Sequence, residues 1–130
     1  MQIHFDDELK ETYQEILKMA SLVQEAIYKT IESLKERSKT KAQNIIDGDD
    51  KIDELELVID EKCIDLIARY QQKASDLRFL AMTFKINAEL ERIADLAVDI
   101  AQRVQELVDS PLLKPLIDIP KLSTVAQNMV

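Results

Sequence analysis

Three carboxylates, Glu91, Asp95 and Asp99, stand four residues apart in the stretch "ELERIADLAVDI", residues 89–100. In a helix this spacing stacks side chains along one line, where like charges cost about 0.2–0.5 kcal/mol per pair. A second acidic row, Asp49, Asp53, Glu56 and Asp60, has spacings of 4, 3 and 4. At ~100° per residue those four fall within a strip about 60° wide. The strip lies beside the apolar positions Ile52, Leu55 and Ile59, whereas Glu54, Glu61 and Asp65 point elsewhere as solubilising charges. Asp49, Asp53, Glu56, Glu91, Asp95 and Asp99 are the candidate site, and the chemistry open to them is cation binding. All-oxygen ligand sets suit Mg²⁺, Ca²⁺ or Mn²⁺, and bridging carboxylates also suit iron. The plain alternative is a solvated acidic face with no ligand at all.

Other chemistries lack their residues. The one histidine, His4, precedes the first helix and reads as a surface residue; the chain offers no Glu-x-x-His motif, Ser–His–Asp group or open zinc set. A single glycine rules out a Gly-rich phosphate loop. No catalytic constellation is present, and the reading is of a protein that is not an enzyme. Cys63 has no partner for an internal disulfide and reads as a small core residue. A formal charge of -8 argues against nucleic acid as a partner and favours a cation or a basic protein surface. With no leader pattern and no apolar run near ~20 residues, a cytoplasmic protein is expected.

The acids need elements to hold them. One Gly, three Pro and no Trp in 130 residues leave little material for turns and hairpins, so an all-α chain of a few long helices is expected. A first helix over 6–36 carries Leu9, Tyr13, Ile16, Ala20, Val23, Ile27 and Leu34 at spacings suited to one apolar stripe, with Asp6 or Asp7 as cap. A second over 40–71 repeats Ile45, Ile52, Ile59 and Leu66 every seven residues. A third over 76–108 repeats Phe79, Ile86, Ile93, Ile100 and Leu107 the same way, flanked by Leu90, Ala94, Ala97, Ala101 and Val104, with Ser75 or Asp76 as cap. Short links near Ser38 and Lys73 between helices of equal length give an antiparallel up-down-up three-helix bundle, residues 1–109, with shallow crossing angles. Folding the second helix back on the third about Ala74 sets Asp95 opposite Asp53 and Asp99 opposite Asp49. The two acidic rows then meet at one height, where they would repel unless protonated or bridged by metal.

Beyond the bundle, all three prolines fall within "DSPLLKPLIDIP", and residues 110–120 read as an extended linker. Residues 121–130 then begin another helix. Leu122 and "QNMV" repeat the separation of Leu9 and "QEIL" (14–17), which suggests the start of a second repeat. So apolar a tail should dock on its own bundle or on a second chain, which favours a homodimer.

These residues resemble the PhoU proteins of phosphate signalling. "DGDDKIDELE" (47–56) looks like the family's helix-2 motif, and "DLRFLAMTFKINAELERIADLAVDIAQ" (76–102) looks like its helix-3 signature. "FDDELKETYQEILKMASLVQEA" (5–26) is similar to the usual opening helix. The resemblance implies tandem three-helix bundles, of which this chain covers the first and the start of the second. It also implies a surface metal site, with Asp49–Asp53 and Glu91–Asp95 as its two motifs and Glu56 at a usual acidic position. The metal is left open among iron, manganese, magnesium, calcium and zinc. Asp53 and Asp99 depart from the common pattern, in which asparagine is frequent there. The implied role is restraint of the phosphate-starvation response by contact with a phosphate ABC transporter ATPase and a membrane sensor histidine kinase, which would draw the protein to the inner face of the membrane. Two other functions compete with it: a metal-free helical interaction module, and a metal-dependent phosphate hydrolase, for which the sequence supplies no pocket.

Overall fold

The computed structural model describes residues 2–70, 73–108 and 118–130, with side chains for 4–70, 73–108 and 124–130. The chain forms α1 (Gln2–Glu36), α2 (Lys39–Arg69), α3 (Ala74–Leu107) and α4 (Asp118–Met129). The first three have 35, 31 and 34 residues, about 50 Å each at 1.5 Å per residue. They build the expected antiparallel three-helix bundle. The linker expected at 110–120 lies outside the described residues as far as 117, and α4 is already helical at Asp118. Pro120 fits there because the first turn of a helix needs no N–H donor from it.

The α1–α2 turn is compact for a chain without a glycine to spend on it. The Arg37 and Ser38 N–H groups donate to Leu34 (3.2 Å) and Ser33 (2.9 Å), the paired bonds that close a helix C-terminus. Arg37 takes the left-handed conformation (φ 53°) that glycine usually fills. Its guanidinium reaches across to the carbonyl oxygens of Leu107 and Val108 at the end of α3. Ser38 then caps α2 by accepting from the Lys41 N–H at 3.1 Å. The other caps differ from expectation. α1 begins before Asp6 and Asp7, and α3 begins at Ala74 after Lys73, which makes no side-chain cap bond.

The core follows sevens, though not always the largest side chains. On α2 the buried row is Ile45, Ile52, Ile59 and Leu66, as expected, with Cys63 fully buried beside it. Burial pushes the Cys63 thiol up to about 11, which suits an inert packing residue. On α3 the buried seam is Leu80, Asn87, Ala94 and Ala101 with Thr83, Leu90, Ala97 and Val104. The bulkier row expected to face inward is its neighbour, and Ile86, Ile100 and Leu107 stay 44, 43 and 54% exposed. Small residues win the centre because they let helices approach, while isoleucine would hold them apart. Buried Thr12, Thr30 and Thr83 satisfy their hydroxyls on carbonyls four residues back, at 2.9, 2.7 and 2.9 Å.

Ion pairs line the α1–α2 seam. Lys62 sits between Glu11 (3.8 Å) and Glu15 (3.3 Å), and Arg69 between Glu8 (2.7 Å) and Asp65 (2.7 Å). α4 lies on α1, where the Gln24 and Gln127 amides each donate to the other's carbonyl oxygen, at 2.9 and 3.4 Å.

Candidate metal centre

Two amides fix the register of α2 against α3. Asn87 Nδ2 donates to the Glu56 carbonyl oxygen (2.8 Å) and to Asp60 Oδ1 (2.9 Å), and Gln105 Nε2 donates to Gln43 Oε1 (2.9 Å). This register sets Asp95 level with both Asp49 and Asp53. One carboxylate oxygen from each of the three lies within 4.8 Å of the other two. Asp99, expected opposite Asp49, is exposed and outside that group. Helical drift explains the difference. Each step of four residues overshoots a turn by about 40°, so by Asp99 a row begun at Glu91 has turned away from α2. The 4-3-4 spacing on α2 corrects its own drift and stays in line.

The cluster is strained electrostatically. Asp49 is pushed up to about 6, by burial first and then by the charges of Asp53, Asp95 and Asp50. Asp53 is raised by burial and then by Asp95 and Asp50. Glu56 is pushed up to about 7 by burial, by a hydrogen bond with Asp60 and by the charges of Asp60, Glu91 and Asp53. Glu91 is raised by burial and then by Asp95, Asp53 and Asp49. The charges acting on these four groups are all carboxylates. Thus Asp49, Asp53, Glu56, Glu91 and Asp95 feel one another, and Asp50 and Asp60 join them.

Asn87 escaped the sequence reading, and it positions the acids. It is fully buried in the α3 seam, and both of its hydrogen bonds go to α2. The signal was available: a polar side chain at a position of the seven-residue repeat, one turn before Glu91.

The donor set fits a hard cation. Asp49 Oδ1 is buried and has no hydrogen-bond partner among the described residues, an arrangement costly for a carboxylate unless something positive faces it. The surrounding donors are anionic oxygens, the ligand type of Mg²⁺, Ca²⁺ and Mn²⁺, and carboxylates also bridge iron.

Residues 16–104 match the family model described as the PhoU domain. The chain belongs to the PhoU family. Among relatives, the phosphate-specific transport system accessory protein PhoU homolog of Aquifex aeolicus is 45% identical over 123 residues, covering 95% of this chain and 56% of that protein. The PhoU accessory protein of Escherichia coli is 33% identical over 102 residues, 78% of this chain and 42% of that one. The crystal structure of PhoU from Pseudomonas aeruginosa superposes with a TM-score of 0.92 at 30% identity, over 96% of this chain and 60% of that one. This PhoU chain therefore spans about half the length of the curated relatives it matches.

Proposed function

We propose that the chain serves as an accessory regulator of phosphate uptake and of the phosphate-starvation response, acting by protein contact rather than catalysis. The observation that carries this reading is the 45% identity, over nearly the whole chain, to a protein named as an accessory of the phosphate-specific transport system. Its partners in this reading are the ATPase of a phosphate ABC transporter and a membrane sensor histidine kinase, met on the cytoplasmic side of the membrane. Among the described residues no helix is long and apolar enough to cross a membrane, which agrees with recruitment through partners. The test is genetic: loss of the protein in its host should switch on a phosphate-starvation reporter in phosphate-rich medium. An unchanged reporter, with no co-purification of transporter ATPase or kinase, would overturn the assignment.

We propose further that Asp49, Asp53 and Asp95 hold a divalent or trivalent cation, with Glu91 and Glu56 beside it and Asp99 at the rim. The orphaned Asp49 oxygen supports this most directly. A bound cation would neutralise the facing rows and tie α2 to α3. Iron, manganese, magnesium, calcium and zinc all remain candidates for one measurement, elemental analysis of protein purified without chelator. Replacing Glu91 and Asp95 together by Ala should abolish binding and preserve helical content. Stoichiometric metal retained in that variant would sink the site, and a metal-free wild type would favour the plain interaction module.

A further inference from the structure

The groove between α2 and α3 changes character along its length. On α3 one stripe runs Leu77, Ala81, Phe84, Ala88, Glu91 and Asp95, in alternating steps of four and three that hold it in line. On α2 the row Asp49, Asp53, Glu56 and Asp60 runs on into Ile64 and Ile67. The register fixed by the Asn87–Asp60 and Gln105–Gln43 bonds sets Ile64 level with Phe84 and Ile67 level with Ala81. One half of the groove is therefore acidic, and the half nearer the α2–α3 connection is apolar. Ile64, Ile67, Leu77 and Phe84 are 57, 42, 45 and 42% exposed, with Ala81 and Ala88 exposed among them. Large apolar side chains standing singly on a surface are ordinary, but a contiguous row of them marks a place of contact. α4 packs on α1, on the side of the bundle away from this groove, and among the described residues no other element covers it.

We propose that this groove docks a cationic amphipathic helix of a partner protein, its apolar side chains on Ile64, Ile67, Leu77 and Phe84 and its lysines or arginines toward the acidic half. This docking rests on the proposal that the chain acts by protein contact, and adds the surface and the partner's chemistry. Charge selects the occupant. Six carboxylates line the acidic half, more charge than one di- or trivalent ion neutralises, so it stays acidic with a metal bound. An anionic lipid surface would be repelled there, and so would a second copy of a chain with a formal charge of -8. Shape selects a helix. Both walls carry steps of three and four, so the groove receives a helix whose own side chains recur at those intervals. Phe84 and Asp95 are eleven residues apart, about 16 Å along the axis, and the partner's apolar and cationic groups should stand the same distance apart. From Leu77 to Asp95 the groove is about 27 Å long, and two helices ~20 Å wide give it roughly 500 Å². That is the low end for specific contacts, where transient signalling encounters fall.

Two synthetic helical peptides of roughly 18 residues and equal composition test this by fluorescence anisotropy. One carries leucines along a face of its first half and arginines along the same face of its second; the other interleaves them. The segregated peptide should bind the 130-residue chain about tenfold more tightly or better, and added salt should weaken it. Ile64→Gln with Phe84→Gln should weaken that binding about tenfold per substitution. Circular dichroism should show unchanged helix, because both side chains are already exposed. Met82→Gln, at a 56% exposed position on the opposite flank of α3, should bind as the wild type does. Equal affinity for the two peptides, or an equal loss at Met82, would overturn the proposal. So would self-association that disappears in the double variant, the mark of a groove filled by a second copy. In the host, the double variant should switch on the phosphate-starvation reporter in phosphate-rich medium, and a double variant that still represses it would also overturn the docking. If loss of the whole protein leaves the reporter silent, the contact function falls, and the peptide comparison alone decides the surface.

Discussion

α2 has two flanks, and they solve the same problem in opposite ways. Toward α1, acids meet cations: Lys62 lies between Glu11 and Glu15, and Arg69 between Glu8 and Asp65. Toward α3, acids meet acids: Asp49 and Asp53 face Asp95, and Glu56 sits near Glu91 and Asp60. The hydrogen bond to Arg69 holds the Glu8 carboxyl below the usual carboxylate range, whereas burial and repulsion lift Asp49 to about 6 and Glu56 to about 7. One flank carries its counter-charges in the sequence. The other leaves them to a proton or a metal ion, so its stability is set by the solution around it.

The largest effect should come from supplying the missing charge. A cation that binds the folded state alone stabilises it by about 2.7 kcal/mol at a hundredfold excess over Kd, on the order of ten degrees in melting temperature for a domain of this size. Calorimetry of chelator-treated protein should show that rise with a divalent cation and far less with NaCl at equal ionic strength. Equal responses would erase the distinction between the flanks.

Next in size is Asn87→Ala, which removes a buried donor serving Glu56 and Asp60 across α2 and α3. A loss of about 2 kcal/mol is expected, read from the midpoint of urea unfolding. The same variant should also bind metal more weakly, because the register that aligns Asp95 is loosened. A stable variant with unaltered metal affinity would show that packing alone sets the register.

Acidity separates the flanks by sign. Asp49 and Glu56 have folded values above those of an unfolded chain, so the folded protein holds the extra protons between about pH 4 and 7. Metal-free protein should therefore gain stability as pH falls from 7.5 toward 5, and an Asp49→Asn, Glu56→Gln variant should lose that gain. Glu8 and Glu25 are shifted the other way. Their contribution is present above the ordinary carboxylate range and is lost only as pH drops through their lowered folded values, below about 4.5. A melting curve followed across both windows should rise and then fall.

The smallest effect should come from the balanced flank. Arg69→Met leaves Glu8 and Asp65 without their partner at a solvent-exposed site, and a slight loss that added salt reduces further is expected in thermal melts. A large loss would mean that the α1–α2 pairs matter more than their exposure implies.

Helix number, order and antiparallel packing were legible because apolar sevens and short links are local signals. The α2 core row was legible in full. On α3 the same reasoning chose the isoleucines over the alanines, because hydropathy rewards bulk whereas a closely packed seam rewards small size. Three of the six acids, Asp49, Asp53 and Asp95, come within 4.8 Å of one another, Glu56 and Glu91 feel charges of that group, and Asp99 lies outside it, because equal steps of four accumulate rotation that the 4-3-4 row avoids. Asn87 and the left-handed Arg37 were missed for a different reason. Asn87 left a signal, a polar side chain at a position of the seven-residue repeat, but not its partners on α2, and the left-handed Arg37 is held by bonds to the end of α3 that a single sequence does not display.

The small residues between α2 and α3 have one more consequence. Ala42 and Ala101, both fully buried, pack in one cluster with Ile45 and Val104, and buried Ala94 continues the line on α3. Helix axes can differ by about 2 Å in separation according to the side chains between them. Metal–oxygen distances of ~2.0–2.1 Å for Mg²⁺ and ~2.3–2.6 Å for Ca²⁺ differ by less than that. If the carboxylates hold the proposed cation, the alanines would act as a caliper whose opening favours one ionic radius, and a methyl group added to this line would be felt as a change of preferred ion before it was felt as a loss of fold.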